Sequence, residues 1–187
     1  MPTTLYSPKK FEKPPNLIDV PSAWRGLEAI IADIIETFGI KTDKALEFGV
    51  EFGYSTVALS NYFKKVIGVD TFQGDEHTED KAIVGLYEAV RDVMPPNVAL
   101  YPISYQEYAK KHYLNGPYDL IHVDIVHTYE DTFACGEWAI KNSRLVIFHD
   151  TESFADVKRA VSDLAIKYGM EFHNYPFHHG LGILWKK

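Results

Sequence analysis

The length, composition and charge of this chain are those of an ordinary globular domain. Its 187 residues are enough for one domain with a substantial core. The formal net charge of -7 argues against a nucleic-acid backbone as the main partner. The single Cys135 excludes an internal disulfide and fits a reducing compartment. No apolar run reaches the ~20 residues that span a membrane, and no signal-peptide pattern opens the chain. We therefore expect a cytoplasmic location and no membrane partner.

An extended arm and a helix are predicted before the first strand of the core. Residues 1–21 are rich in proline, which predicts an extended N-terminal arm, and residues 22–187 are predicted to form a single domain. Apolar residues recur at helical spacing from Trp24 to Phe38, and Gly39 is expected to end that helix.

Strands and helices alternate along the rest of the chain. Short, largely apolar strands are predicted at 45–49, 65–70, 97–101, 118–124 and 144–149. Helices are predicted at 54–62, 80–93, 104–112, 129–141 and 154–168. A last pair of strands, at about 171–175 and 181–185, has the pattern of a hairpin. This alternation predicts an α/β fold with a parallel sheet that is covered on both faces.

Acidic and histidine side chains concentrate where the predicted strands end. Glu47 and Asp70 close the first two strands, Asp124 and His127 follow the fourth, and the His149–Asp150 pair follows the fifth. In an open α/β sheet, ligands bind at the carboxyl ends of the strands. The strand ends therefore predict the functional site.

The first strand, turn and helix form the most informative segment. Its pattern is Glu47-x-Gly49-x-x-x-Gly53, and a second strand ends in Asp70 about 20 residues later, as in nucleotide-binding β-α-β units. The glycines permit a tight turn and let a ligand approach the backbone closely. Because Glu47 and Glu51 would repel a pyrophosphate at this helix N-terminus, a cationic or phosphate-free nucleoside fits better. S-adenosylmethionine is such a ligand.

Together with further motifs, this segment resembles the class I S-adenosylmethionine-dependent methyltransferases. The branch that it resembles includes macrolide-sugar O-methyltransferases and cephalosporin-hydroxylase-like proteins. The motifs that carry the resemblance are, in order, Asp70–His77, Leu120–Asp124, His127–Glu130, Phe148–Asp150 and His179–Leu184. The resemblance implies a Rossmann-like three-layer α/β/α sandwich, with a seven-stranded, mostly parallel sheet and a C-terminal antiparallel hairpin. It also implies methyl transfer from S-adenosylmethionine to an oxygen of a small polar acceptor, with a sugar or glycan-precursor hydroxyl favoured.

The resemblance assigns one set of residues to the cofactor. Glu47, Gly49 and Gly53 are expected at its methionine end and Asp70 at its ribose. From their positions after strands, Phe72 and Ser104 are expected beside the adenine. Each assignment has a structural alternative. The glycines could serve only a turn and close packing, Asp70 could be a loop or capping carboxylate, and the last two residues could pack or cap.

A second set is assigned to the chemistry. In the resembled branch, the histidine three residues after the fourth-strand acid is the base, so His127 becomes the predicted catalytic base beside Asp124. A divalent cation, Mg²⁺ or Mn²⁺, would be held by Asp124 and Asp150 together with His149.

The chain departs from the branch at two of these positions. Ile125 stands where a glycine is usual, and His149 replaces the first of two acids, which favours a softer ion such as Mn²⁺ or Zn²⁺, or no ion. A helix-capping role for His127 and a buried, backbone-bonded role for His149 remain as alternatives.

The segment Gln73–His77 is a polar loop that would border the acceptor opening, so Asp75 and His77 could touch the acceptor. A solvated acidic loop is the alternative.

Two other classes of protein remain open on the sequence alone. His122-x-Asp124 with a distant histidine matches the ligand pattern of an iron-dependent oxygenase, although the alternation of strands and helices argues against that fold. A non-catalytic interaction protein could retain the fold and use the proline-rich arm. That arm could also wrap a second subunit, so a homo-oligomer is a further expectation.

Overall fold

The computed structural model describes residues 3–74, 83–112 and 116–187. The strands are β1 (Thr4–Leu5), β2 (Lys44–Phe48), β3 (Lys65–Asp70), β4 (Val98–Pro102), β5 (Leu120–Val123), β6 (Leu145–His149), β7 (Glu171–Tyr175) and β8 (Leu181–Trp185). A short 3₁₀ helix, Leu27–Ile30, precedes the α-helices. These are α1 (Ile31–Phe38), α2 (Tyr54–Ser60), α3 (Leu86–Val93), α4 (Tyr105–Lys111), α5 (Tyr129–Asn142) and α6 (Ala155–Tyr168).

The strands form one mixed sheet in the order β1-β7-β8-β6-β5-β2-β3-β4. Strand β8 runs antiparallel to both β6 and β7, and the other neighbours are parallel. From β2 the chain winds outward through β3 and β4, and from β5 it winds the other way through β6. The direction of winding therefore reverses between β2 and β5, and a ligand crevice is expected at the carboxyl ends of these two strands.

Side chains of β2 alternate between two cores, one on each face of the sheet. Leu46 and Phe48 pack into a core that contains buried residues of α5 and α6. Ala45 packs into a second core, which contains buried residues of the 3₁₀ helix, α1 and α2. The predicted three-layer α/β/α sandwich, with its mostly parallel sheet and terminal hairpin, is confirmed.

The N-terminal arm adds an eighth strand to the seven that were expected. Strand β1 pairs with β7 in parallel, at the edge of the sheet. Beyond it, the Tyr6 hydroxyl donates to Asp33 Oδ2 over 2.5 Å, and the backbone N–H groups of Lys9 and Lys10 donate to Oδ1. A two-residue strand is too short to show an alternating pattern, so no local pattern indicates it.

The predicted helix from Trp24 to Phe38 starts later than expected. Gly26 has a left-handed backbone (φ 104°), which an α-helix does not contain, and regular α-helix begins only at Ile31. The predicted end at Gly39 is confirmed by its left-handed C-cap (φ 59°).

The predicted helix at 80–93 starts late: residues 83–85 are not helical, and α3 begins at Leu86. Residues 80–82 and the candidate acceptor contacts Asp75 and His77 lie outside the described residues. Within the described ranges, no helix is long and apolar enough to cross a membrane.

Candidate active site

A cavity of about 320 Å³ opens at the carboxyl ends of β2, β3, β5 and β6. It brings most of the predicted site residues together. Those that line it are Gly49, Asp70, Phe72, Ser104, Asp124, His127, His149 and Asp150. Two predicted cofactor residues, Glu47 and Gly53, are not among the described residues that line it. The walls also include residues that the sequence analysis did not select, among them Trp24, Tyr105 and Asp131.

The carboxylate of Asp70 holds the glycine turn in place. Its Oδ2 accepts backbone hydrogen bonds from Val50 (2.7 Å) and Glu51 (2.9 Å), and its Oδ1 accepts one from Phe72 (2.7 Å). An ionised carboxylate offers about four lone-pair positions, so capacity remains for another donor such as a ribose hydroxyl. Asp70 thus has a structural role in addition to its position on the cavity wall.

Both glycines of the turn are required by the backbone. Gly49 and Gly53 have left-handed φ angles of 89° and 86°. A Cβ on Gly49 would lie 1.6 Å from the Asp124 carbonyl oxygen, and one on Gly53 would lie 2.6 Å from Met94 Cε. The turn-and-packing alternative therefore accounts for the residue type at both positions, while Gly49 also borders the cavity.

Phe72 and Ser104 stand on the cavity wall and also have structural contacts. The buried Phe72 ring packs 5.3 Å from the Tyr87 ring, measured between centroids. Ser104 Oγ accepts the backbone N–H of Glu107 (3.2 Å) and so caps α4. Both residues therefore have a structural role in addition to their position on the cavity wall.

Glu47 is fully buried, two residues before Gly49, which lines the cavity. Its Oε1 lies 2.8 Å from His122 Nδ1, and its Oε2 accepts the hydroxyl of Thr56. Trp24 donates its indole N–H to His122 Nε2 over 3.1 Å. Since both imidazole nitrogens of His122 have protein partners, the geometry gives no support to the oxygenase alternative, which needs this histidine as an iron ligand.

Four side chains form a charged cluster at the cavity end of β5 and β6. His127 Nε2 lies 2.9 Å from Asp150 Oδ2 and 3.9 Å from Asp124 Oδ1. His149 Nδ1 lies 3.1 Å from Asp124 Oδ2 and 3.2 Å from Asp150 Oδ2. Asp150 has a left-handed backbone (φ 63°), which is strained for a residue with a side chain. Such strain is typical of functional sites.

The partners of His149 define its charge. Its Nδ1 faces two carboxylates, and its Nε2 lies 3.3 Å from the carbonyl oxygen of His178. Carboxylates and carbonyls only accept hydrogen bonds, so both ring nitrogens donate and the ring is an imidazolium. Burial alone would lower the pKa of His149, but Asp124 and Asp150 outweigh it and raise that pKa to about 10. Burial likewise opposes the charge of Asp150, yet His127 and His149 hold the pKa of that carboxyl below its ordinary range.

The ring of His127 is held in one orientation. It stacks on Phe154 with centroids 4.0 Å apart and ring planes 3° apart, while Asp150 contacts Nε2. The helix-capping alternative does not apply to this histidine, because Thr128 caps α5 by accepting the backbone N–H of Asp131.

A potential metal-binding group exists at the same place, with a composition that differs from the predicted one. Ligand atoms of Asp124, His127 and Asp150 lie within 4.8 Å of one another. The predicted set had His149 in place of His127, but the Nδ1 of His149 points at both carboxylates as a donor. Two carboxylates and one imidazole are a donor set that suits Mn²⁺ or a similar divalent ion.

The fold and this site define a class of protein. A doubly wound sheet with a terminal antiparallel hairpin, and a ligand cavity formed by a glycine turn and acidic strand ends, are the architecture of class I S-adenosylmethionine-dependent methyltransferases. A family model described as a methyltransferase domain matches residues 46–151, and the chain belongs to that family.

Solved structures share the fold at low sequence identity. A protein from Staphylococcus aureus assigned as a caffeoyl-CoA O-methyltransferase superposes with a TM-score of 0.67 at 14 % identity, covering 91 % of this chain and 86 % of that one. An O-methyltransferase from Bacillus cereus, solved in complex with SAH (S-adenosylhomocysteine), gives a TM-score of 0.52 at 17 % identity, with 92 % and 84 % covered.

A curated relative is much longer than this chain. The protein y4gI of Sinorhizobium fredii is 29 % identical over 196 residues, which cover 92 % of this chain but 20 % of the relative. The chain therefore spans about a fifth of the length of that relative.

Proposed function

We propose that this protein transfers a methyl group from S-adenosylmethionine to an oxygen of a small polar acceptor, a hydroxyl of a sugar or glycan precursor. The observation that carries the proposal is a single cavity that joins the glycine turn at Gly49 and the acid Asp70 to the cluster around His127. The cofactor and the acceptor would thus bind in one cavity, at the point between β2 and β5 where the winding of the sheet reverses.

The charge of the cavity walls supports a cationic cofactor. Glu51, Asp70, Asp124, Asp131 and Asp150 line the cavity, and no lysine or arginine is among its described lining residues. A phosphate group would meet carboxylates there, whereas a sulfonium would be attracted to them. This supports S-adenosylmethionine over a phosphate-bearing nucleotide, with Asp70 accepting from the ribose.

His127 is the proposed base of the reaction. As the acceptor oxygen forms its bond to the methyl carbon, the bond from sulfur to that carbon breaks, and the hydroxyl proton passes to the imidazole of His127. The products are the methyl ether, S-adenosylhomocysteine and a protonated His127. Asp150 contacts Nε2 at 2.9 Å, so it can orient the ring and stabilise the protonated form. Phe154 restricts the ring further by stacking on one of its faces.

A divalent ion would be held by Asp124 and Asp150, with the imidazole of His127 as the third ligand. The donor set fits, because its ligand atoms are already gathered within 4.8 Å. When bound, such an ion lowers the pKa of an acceptor hydroxyl and orients it. The Nε2 of His127 cannot bind the ion and donate to Asp150 simultaneously, so metal dependence is part of the test.

The proposal is tested by titrating the purified protein with S-adenosylmethionine and S-adenosylhomocysteine by calorimetry, in chelator and with added Mg²⁺ or Mn²⁺. We expect micromolar binding of both. A screen of nucleotide sugars with labelled S-adenosylmethionine then identifies the acceptor. An absence of binding under every condition would reject the proposal in favour of a non-catalytic interaction protein. Activity that persists in chelator would show that the reaction needs no divalent ion.

The assembly and cellular context remain predictions. The division into an arm of residues 1–21 and a domain of residues 22–187, the homo-oligomer and the cytoplasmic location are each proposed from the sequence. Light scattering of the purified chain would test the oligomer.

A further inference from the structure

A chain of buried polar side chains, here called the polar chain, reaches the cavity wall at Trp24 and has no part in the proposed reaction. Thr56 donates its hydroxyl to Glu47, Glu47 contacts His122 Nδ1 at 2.8 Å, and the indole N–H of Trp24 donates to His122 Nε2 at 3.1 Å. Glu47 and His122 are completely buried, and Trp24 is 1 % exposed.

The direction of each hydrogen bond is fixed. An indole N–H can only donate, so His122 Nε2 must accept, and the ring proton lies on Nδ1, facing the carboxylate of Glu47. Glu47 accepts on both oxygens, from His122 and from Thr56. Burying a carboxylate costs free energy that an apolar side chain of the same size would not. What the polar chain provides in return is a defined position and orientation for Trp24.

The polar chain lies close to one end of the cavity. Glu47 and His122 are register partners on β2 and β5, the two strands between which the winding of the sheet reverses. Gly49 and Asp124 follow two residues after Glu47 and His122, just beyond the ends of β2 and β5, and both line the cavity. The polar chain therefore lies next along these two strands to the part of the cavity between the glycine turn and the charged cluster.

Trp24 connects this layer to the N-terminal segment. Ser22, Ala23 and Trp24 all line the cavity, and Ser22 Oγ accepts the backbone N–H of Trp24 at 3.1 Å. Immediately beyond, Gly26 lies so close to the His178 ring that a Cβ there would be 2.2 Å from Cε1. Within Ser22–Trp24, the hydrogen bond from the Trp24 indole to His122 joins a side chain of this segment to the sheet.

We propose that Glu47 and His122 are positioning residues that hold Trp24, and with it residues 22–24, as the wall around the methionine end of the cofactor. This inference rests on the proposed function. It assigns Glu47 a different role from direct contact with the cofactor, since Glu47 acts through His122 and Trp24.

The test is the affinity for S-adenosylhomocysteine, measured by calorimetry, which needs no acceptor. Trp24→Phe keeps a ring in place but removes the donor to His122, and Glu47→Gln keeps the shape but removes the charge. Trp138→Phe is the matched control, because the buried indole N–H of Trp138 has no hydrogen-bond partner among the described residues. We expect both test variants to raise Kd about fivefold at unchanged stoichiometry, as the loss of one hydrogen bond would. The control should keep the wild-type Kd.

Urea denaturation of each variant separates positioning from folding. A variant that is less stable but still almost fully folded in the titration keeps the wild-type Kd if the polar chain serves stability alone, because only a substantial unfolded fraction raises the apparent Kd. That result would overturn the inference. A wild-type Kd for Trp24→Phe would also overturn it, and this variant decides the matter if Glu47→Gln fails to fold. If Trp24→Phe raises Kd and Glu47→Gln does not, Glu47 is not one of the residues that position Trp24. If wild type and control both fail to bind, the proposed function itself fails, which is a distinguishable result.

Discussion

Gly49 lies directly against the main-chain carbonyl of Asp124, so that a Cβ on Gly49 would be 1.6 Å from that oxygen. The backbone N–H of Asp124 in turn donates to the carbonyl of Phe48 over 2.8 Å. The proposed cofactor turn and the proposed catalytic cluster are therefore held together by main-chain atoms. Neither can shift without moving the other, which suits a reaction that needs the two substrates aligned to a fraction of an ångström.

This contact predicts that Gly49→Ala is strongly destabilising. The new methyl group would meet backbone, which cannot rotate away, at a residue whose φ of 89° already disfavours a side chain. We expect a loss of about 3 kcal/mol or more in the free energy of unfolding, measured by urea denaturation.

Gly39→Ala is the matched control for this prediction. Gly39 also has a left-handed backbone (φ 59°), but nothing lies within 4 Å of a Cβ there. Only the conformational cost remains, about 1 kcal/mol. Equal losses in the two variants would mean that the contact with Asp124 carries no energy.

The sheet could be predicted from local patterns, because apolar runs that end in glycine or acid define parallel strands without any tertiary information. The same patterns placed Asp70, Asp124 and Asp150 at one edge, since all parallel strands end there. They could not detect β1, whose two residues are fixed by pairing with β7 rather than by their own pattern.

The position of Glu47 shows why the site could be predicted only in part. The motif predicts that the acid near the end of the strand contacts the ligand. The Glu47 side chain is instead buried, where it contacts His122 and Thr56. Trp24 and His122 are 98 residues apart in the chain, and no local spacing reports such a contact. The available signal was weak: Glu47 and His122 are polar residues inside otherwise apolar strands.

Asp70→Asn should weaken cofactor binding. The carboxylate already accepts three backbone N–H groups, and an amide places its own donors among them. We expect Kd for S-adenosylhomocysteine to rise at least about tenfold, together with a stability loss of about 1–3 kcal/mol from the loosened turn. Calorimetry and urea denaturation measure the two effects separately. An unchanged affinity would remove Asp70 from the ribose role.

His127→Ala should abolish turnover and leave cofactor binding nearly unchanged. The imidazole is proposed to receive the acceptor proton, a contribution of at least about 100-fold in kcat. Turnover is measured with the acceptor that the nucleotide-sugar screen identifies, and binding with S-adenosylhomocysteine. His173→Ala is the control, because this half-buried histidine pairs with Glu171 on β7 and is not among the described cavity residues. Turnover that survives in His127→Ala would make the assignment of the base wrong.

The buried imidazolium of His149 predicts how stability depends on pH in the metal-free protein. Its pKa is raised from 6.5 to about 10 because Asp124 and Asp150 outweigh the effect of burial. A raised pKa means that the stabilisation is fully present below pH 6.5 and is lost as the pH rises through about 10. At about 1.4 kcal/mol per pH unit, the interval from 6.5 to about 10 corresponds to a contribution on the order of 5 kcal/mol. His149→Gln removes it, so the difference in unfolding free energy between wild type and variant should be large at pH 6 and should shrink towards pH 10. Urea denaturation in chelator at a series of pH values measures this difference, in which the titrations of groups far from His149 cancel. A difference that stays constant over the series would show that His149 is not charged in the folded protein.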